Sequence, residues 1–204
     1  MNLIPSQEEV LCLLEETGAV RHGYYRYPNG VHSNQYMQIA LAMRYYQHAR
    51  TLSVALSRKL RSNTEIRAII PQLSVVAPAT GGLPVAYGIV EALRAHQVYW
   101  AEEDVEGQPA RFRQFIEPKE GEKILLVDDI LRTGTKLTAL KRLCEEKGAE
   151  VVGLAVMIYQ PTPKTPSFDP LPLYYLAKLD ATYYSPEDVA RLQSQGITFE
   201  QVWA

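Results

Sequence analysis

Apolar positions recur at helical spacing in the first third of the chain. Residues 7–17 carry an apolar stripe that follows an S-x-x-E capping box, and Gly18 ends the predicted helix. A second stripe predicts a helix over about 47–61. Between them, residues 23–41 have the pattern of a hairpin, because a P-N-G turn signal at 28–30 lies between tyrosine-rich flanks.

Short apolar runs alternate with helical patterns in the second half of the chain. The runs are typical of buried strands and occupy 73–79, 97–101, 123–128 and 151–159. The helical patterns begin near Pro84 and run over about 135–147, where Gly148 ends the second one. Strand–helix–strand units with short loops predict an α/β fold with a central, mostly parallel sheet flanked by helices.

The tail after residue 159 is rich in proline, then apolar and aromatic again up to Tyr184, and an S-P-E-D-V run offers another helix start. No internal repeat or low-complexity linker separates the tail from the rest. The 204 residues therefore suit a single domain, since single cores stop growing near about 250–300 residues. The tail is expected to pack on that domain.

Composition narrows the classes of function. The formal net charge is −2, so no overall basic field attracts nucleic acid. No apolar run reaches the roughly 18 residues of a membrane span, and the first ten residues lack a signal peptide's basic region. Cys12 and Cys144 fall on apolar helical faces, which favours buried thiols over a disulfide or a redox role. These features predict a cytoplasmic enzyme or binding protein.

The segment ILLVDDILRTGTK, residues 124–136, places two adjacent acids at the end of an apolar strand. The Thr-Gly-Thr that follows opens a helix, where backbone N–H groups and two hydroxyls can bind a phosphate. Arg132 and Lys136 can add positive charge. Asp128 and Asp129 can accept hydrogen bonds from the vicinal hydroxyls of a ribose, so a 5-phosphorylated ribose satisfies the whole segment. The simpler alternative is that one aspartate only caps the helix or closes a turn.

Other chemistries find no support in the motifs. The chain has no G-x-x-x-x-G-K-[ST] loop, no G-x-G-x-x-G fingerprint and no G-x-S-x-G nucleophile elbow. Its four histidines show no metal-ligand spacing with each other or with the cysteines. A transition-metal site built by the protein is therefore not expected.

The run VDDILRTGT resembles the signature of the type I phosphoribosyltransferases, which bind 5-phosphoribosyl 1-pyrophosphate (PRPP). The wider match is to the orotate phosphoribosyltransferases. It rests on G-x-x-x-x-x-x-G-x-H-S from Gly23 to Ser33, on APATGGLPVAYGIVEAL at 77–93, on RFRQF at 111–115 and on the LDATYYSPED run. The resemblance covers most of residues 18–188, and the signature motif is its most specific part.

The resemblance implies a fold and a reaction. A small hood from about 1–45 and 161–204 would cover a core of about 46–160. The reaction would join a base to PRPP, giving a nucleotide and pyrophosphate, with Mg²⁺ held mainly by ligand oxygens and water. Family members are usually homodimers in which a mobile loop covers the neighbouring site. That loop would correspond to residues 101–113.

The resemblance also assigns roles to residues. Asp128 and Asp129 would hold the ribose hydroxyls and stabilise the positive anomeric carbon. The 5-phosphate would be held by Arg132, Thr133, Gly134, Thr135 and Lys136. The pyrophosphate would be received by the loop Ala79, Thr80, Gly81 and Gly82, which on its own would be only a strand-to-helix turn. Tyr36 and Gln160 would contact the base.

Three departures from the family pattern affect these roles. Where the family's mobile loop carries Arg and Lys, this chain has Glu102, Glu103, Asp104 and Glu106, with Arg111 and Arg113 as partial compensation. Pro28 stands where many relatives have a lysine. Gln160 stands where an arginine usually pairs with the orotate carboxylate, and an amide suits a neutral base edge. The alternative for Gln160 is a solvated residue at a strand end.

Three functions stay open from the sequence. The first is transfer of phosphoribose to orotate or a close pyrimidine relative. The second is transfer to a different, neutral base. The third is a non-catalytic sensor that binds PRPP.

Overall fold

The computed structural model describes residues 4–28 and 30–202. Its centre is a six-stranded sheet with the order β5-β4-β3-β6-β7-β8. The strands are β3 (Leu73–Pro78), β4 (Gln97–Glu103), β5 (Pro109–Phe112), β6 (Lys123–Leu131), β7 (Glu150–Tyr159) and β8 (Leu173–Lys178). Neighbours pair in parallel except β4 and β5, which are antiparallel. The predicted α/β class with a mostly parallel sheet is confirmed.

Helices cover both faces of this sheet. They are α1 (Gln7–Glu16), α2 (Ala40–Met43), α3 (Tyr46–Ser62), α4 (Thr64–Ile69), α5 (Gly82–Leu93), α6 (Thr135–Glu146) and α7 (Pro186–Ser194). Alternate residues of β6 separate two cores: Leu125 packs with α1, α3 and α5, whereas Leu126 packs with α6. Burial on both faces explains why the strands read as continuous apolar runs. None of the helices in the described ranges has the length and hydropathy of a membrane span.

A second, smaller sheet lies outside the core and has the order β10-β1-β2-β9. The hairpin predicted over 23–41 is present as β1 (Val20–Arg26) and antiparallel β2 (His32–Met37), although Asn29 of its turn lies outside the described residues. The tail adds both outer strands, β9 (Tyr183–Tyr184) and β10 (Glu200–Gln201). The segments expected to form a hood therefore supply this whole sheet.

The structure adds elements that the sequence pattern did not predict. Strand β8 lies in the tail, and β5 turns the expected mobile loop into a hairpin with β4. The expectation for Cys12 is wrong: its thiol is exposed, because α1 buries Val10 and Leu14 on another side of the helix. Cys144 is buried as expected, and burial raises the pKa of its thiol to about 12.

Candidate active site

Two carboxylates lie together near the carboxyl end of the central strand β6. Asp128 is buried, and its Oδ1 accepts a 2.9 Å hydrogen bond from the backbone N–H of Asp129. Asp129 is partly buried, and its Oδ1 accepts a 2.7 Å hydrogen bond from the N–H of Ile130. Each carboxylate is thus oriented by the amide that follows it.

The loop between β3 and α5 packs against these acids. A Cβ atom on Gly81 would lie 3.3 Å from Asp129 Oδ2, and one on Gly82 would lie 3.2 Å from Asp128 Oδ1 and 2.9 Å from Pro78 Cδ. Glycine is therefore needed at residue 82 for the close approach. Ala79 and Thr80 complete the loop, and the peptide bond between them is cis. The structure brings the expected pyrophosphate loop and the two acids together.

The two acids have raised pKa values. Burial is the main cause of the raised pKa of Asp128, and the neighbouring charge of Asp129 adds to it. Burial also raises the pKa of Asp129, while the positive charges of Lys136 and Arg132 oppose that rise. A ligand that donates hydrogen bonds or brings positive charge here would stabilise the ionised forms.

The turn between β6 and α6 forms a small cavity beside the acids. Gly134 precedes the helix at φ +74°, and a Cβ atom there would lie 2.7 Å from Cδ of Pro166 in the tail. The hydroxyls of Thr133 and Thr135 are 3.0 Å apart. The cavity of about 200 Å³ is lined by residues 130–137, Asp128 and Gln108. Amides and hydroxyls at a helix start can bind a phosphate.

The hairpin of β4 and β5 faces this turn with acidic side chains. Glu103 accepts a 2.6 Å hydrogen bond from Nζ of Lys136. Glu102 pairs with Arg111 at 3.3 Å and also with Arg113. Two of the four acids that departed from the family pattern are therefore neutralised within the chain.

Asp104 forms the tip of this hairpin. Its Oδ1 accepts hydrogen bonds from the backbone N–H groups of Glu106 and Gln108, each at 2.9 Å. This acid therefore shapes the tip, and Gln108 beside it lines the turn cavity.

Gln160 is only 1% exposed, so the alternative of a solvated residue is wrong. Its Oε1 accepts a 2.9 Å hydrogen bond from Nε of Arg132, and its Nε2 donates a 3.0 Å hydrogen bond to Oε1 of Gln35. The guanidinium carbon of Arg132 lies 5.3 Å from the centre of the Tyr27 ring. The amide keeps one N–H and one acceptor site unused, but at 1% exposure a base could reach it only if neighbouring side chains moved.

Tyr36 packs in a cluster with Tyr25, Tyr27 and Val202 of the small sheet. Its hydroxyl lies 3.1 Å from Oε1 of Gln38, to which it donates. Tyr36 is outside the described lining of the turn cavity and of the larger cleft next to it.

That cleft, of about 830 Å³, lies between the small sheet and the turn predicted to hold the phosphate (residues 132–136, hereafter the phosphate turn). It shares Arg132 and Thr133 with the turn cavity. Its other lining residues are Tyr27, Gly30, Val31, His32, Thr162, Pro163, Lys164, Tyr183, Tyr184, Pro186 and Val189. Most of these residues come from the hairpin and the tail. The sequence pattern did not single out Tyr27, Lys164 or Tyr183 as site residues, since only the folded tail brings them to the turn.

The side chains of the site determine which metal ion could bind there. In the described part of the chain, no three His, Cys, Asp or Glu side chains are grouped to hold one. Asp128 and Asp129 offer hard oxygen atoms, which suit Mg²⁺ better than a softer metal. A cation held by these two acids would need further ligands from a substrate and from water.

Comparison with known proteins agrees with this geometry. The model of the phosphoribosyl transferase domain matches residues 36–170. The orotate phosphoribosyltransferase of Carboxydothermus hydrogenoformans is 32% identical over 176 residues, covering 86% of this chain and 87% of the relative. The orotate phosphoribosyltransferase of Thermotoga maritima is 31% identical over 189 residues, covering 93% and 94%.

Among solved structures, the orotate phosphoribosyltransferase of Aeropyrum pernix has a similar fold, with a TM-score of 0.67 at 18% identity, covering 92% of this chain and 98% of that one. The family model matches more than half of the chain, and both relatives exceed 30% identity over most of their length. The chain therefore belongs to the type I phosphoribosyltransferase family.

Proposed function

We propose that the protein transfers 5-phosphoribose from PRPP to orotate, giving orotidine 5′-monophosphate and pyrophosphate. The observation that carries this proposal is the grouping of three features at one edge of the sheet. These are the adjacent carboxylates of Asp128 and Asp129, the glycine loop 79–82 in contact with them, and the turn 132–136 at the start of α6. The names of the relatives in Carboxydothermus and Thermotoga support orotate as the base.

Each feature has a chemical task in this reaction. The bond from the anomeric carbon to the pyrophosphate oxygen breaks, and a bond from that carbon to a base nitrogen forms. Positive charge develops on the sugar ring, and the carboxylates of Asp128 and Asp129 can stabilise it electrostatically. The amides and hydroxyls of Thr133 and Thr135 would bind the 5-phosphate. The loop 79–82 would receive the pyrophosphate.

Mg²⁺ belongs to the same proposal. It would neutralise charge on the leaving pyrophosphate, and Asp128 and Asp129 would contribute oxygen atoms to its surroundings. A homodimer is proposed as well, on the basis of family membership. Light scattering of the purified protein would report a mass twice that of the 23.0 kDa chain. A monomeric mass at working concentrations would contradict the dimer.

A panel of bases tests the reaction. The protein is mixed with PRPP and Mg²⁺, and pyrophosphate release is measured with orotate, uracil, adenine and hypoxanthine. Release with orotate alone is expected. Release with another base but not with orotate would support transfer to a neutral base, and tight PRPP binding with no release would support a sensor.

A double variant tests the site in the same assay. Replacing both acids, Asp128→Asn with Asp129→Asn, should weaken PRPP binding by about 10- to 100-fold, because the two carboxylates together lose hydrogen-bond energy of about 1.5–3 kcal/mol. The matched control is Asp180→Asn, which changes an exposed acid of the tail. Unchanged PRPP binding in the double variant would refute the assignment of the ribose site.

A further inference from the structure

Gln160 is buried next to Arg132, a lining residue of the large cleft, and hydrogen bonds hold its side-chain amide on both sides. Gln35 of β2 accepts the hydrogen bond of its amide nitrogen at 3.0 Å, which turns the amide oxygen towards Nε of Arg132 at 2.9 Å. The amide can therefore hold a cation, whereas an arginine in its place would repel Arg132. In the family pattern, an arginine after the strand that corresponds to β7 supplies the positive charge. Here Arg132, after β6, supplies it, and the amide of Gln160, after β7, holds that arginine in place.

The charge of Arg132 is available to a ligand. Among residues 4–28 and 30–202, no carboxylate forms an ion pair with Arg132. Burial raises the pKa of Asp129 and the positive charge of Arg132 opposes that rise, but the two side chains form no ion pair. The contacts of the guanidinium, to Gln160 and over the ring of Tyr27, lie on the side of the small sheet. This places the cation next to the cleft as well as beside the phosphate turn.

The cleft itself suits a flat anion. Its described lining contains two cations, Arg132 and Lys164, together with His32, and no carboxylate. Tyr27, Tyr183 and Tyr184 provide aromatic surface. The hydroxyl of Tyr183 is buried and has no hydrogen-bond partner within the described ranges, so it is free to pair with a polar ligand atom.

We propose that Arg132, positioned by Gln160, binds a carboxylate on the base and makes the pocket select an anionic pyrimidine over a neutral one. This inference rests on the proposed function and assigns the substrate class of the same site. An arginine whose Nε is already held presents its remaining N–H groups in a fixed fork, the geometry that pairs with a carboxylate. Gln160 is then a positioning residue that does not touch the base.

The product nucleotides give a test that does not need turnover. Orotidine 5′-monophosphate and uridine 5′-monophosphate both carry the ribose phosphate and differ by the carboxylate on the base. Titration calorimetry of the intact protein should show the orotidine nucleotide binding about 10- to 100-fold more tightly, the range of a charge-assisted hydrogen bond. Arg132→Gln should bring the affinities for the two nucleotides to a similar level, because any loss at the phosphate is common to both and only the orotidine nucleotide also loses the contact of its carboxylate.

Two further variants sharpen the result. Gln160→Glu keeps the shape of the side chain but pairs with Arg132, so it should remove the preference for the orotidine nucleotide in the same way. Lys164→Gln removes the other cation of the cleft and should leave the preference intact. With orotate as substrate, Gln160→Glu should raise the KM for orotate more than the KM for PRPP, because Gln160 lies outside the turn 132–136.

The outcomes separate this inference from the proposed reaction. Equal binding of the two nucleotides by the unaltered protein would overturn it, as would an equal loss of both in Arg132→Gln, which would make Arg132 a phosphate ligand. Loss of the preference in Lys164→Gln alone would overturn it too. A preference that depends on Arg132, without pyrophosphate release from any base, would support the inference and refute the enzymatic function.

Discussion

Glu103 of β4 and Lys136 of the phosphate turn are joined by a 2.6 Å hydrogen bond between carboxylate and ammonium. The pair links the β4–β5 hairpin, where the mobile loop was predicted, to the turn expected to hold the 5-phosphate. Because Glu103 already pairs with Lys136, a phosphate that binds this turn would have to compete with the carboxylate of Glu103 for the ammonium group.

Glu103→Gln is expected to strengthen PRPP binding about 2- to 5-fold, since a partly exposed ion pair contributes about 0.2–1 kcal/mol. Calorimetry with PRPP and Mg²⁺ would measure the change. The control is Glu150→Gln, which removes another Lys–Glu pair, with Lys123 at the amino ends of the strands. PRPP binding by Glu103→Gln that is weaker than or equal to that of the control would contradict the competition.

Asp128→Asn is expected to stabilise the fold at neutral pH. The pKa of Asp128 is raised from its ordinary value of 3.8 because the site buries it, so the folded state holds a proton that the unfolded state releases. Stability of the unaltered protein therefore falls as pH rises from about 3.8 through the folded pKa. The asparagine should raise Tm by about 2–4 °C at pH 8, the shift that about 1 kcal/mol produces in chains of 150 to 250 residues.

Thermal melts between pH 5 and pH 8 would measure this effect. The difference in Tm between Asp128→Asn and the unaltered protein should grow with pH. The exposed control Asp180→Asn should show no such growth. A constant or shrinking difference for Asp128→Asn would contradict the sign of the pKa shift.

Gly134→Ala is expected to destabilise the protein by about 2–5 kcal/mol. The backbone at φ +74° costs about 1–2 kcal/mol for a side chain, and the clash with Pro166 at 2.7 Å adds about 1–3 kcal/mol of overpacking. Gly196→Ala is the matched control, because Gly196 has φ +85° and no atom within 4 Å of an added Cβ. Denaturant unfolding would compare the two, and equal losses would show that the tail does not constrain the turn.

The parts of the fold set by local pattern could be predicted from the sequence. The strand predicted over 123–128 and the helix after Gly134 follow from neighbouring residues. The structure has both, although the strand continues to Leu131. Strands β9 and β10 could not be predicted in this way, because two-residue strands depend on pairing with β2 and β1 across most of the chain.

The candidate site shows the same division. The contact between Gly81 and Asp129 could be expected, because the carboxyl ends of neighbouring parallel strands meet at one edge. The hydrogen bond between Arg132 and Gln160 joins side chains at the ends of two strands. It forms because Gln35 fixes the orientation of the Gln160 amide, so that its oxygen points to Arg132. The spacing of residues in the sequence does not show how the Gln160 side chain is oriented.

The tail closes both the small sheet and the phosphate turn. Strands β9 and β10 flank the β1–β2 hairpin, and the Thr165 hydroxyl donates to the backbone carbonyl of Arg132. A two-stranded hairpin is at best marginally stable alone. During synthesis on the ribosome, the proposed PRPP pocket therefore cannot be completed when residues 124–136 emerge. It must wait for residues 162–201, so a nascent chain stalled before that point would hold an unfinished pocket.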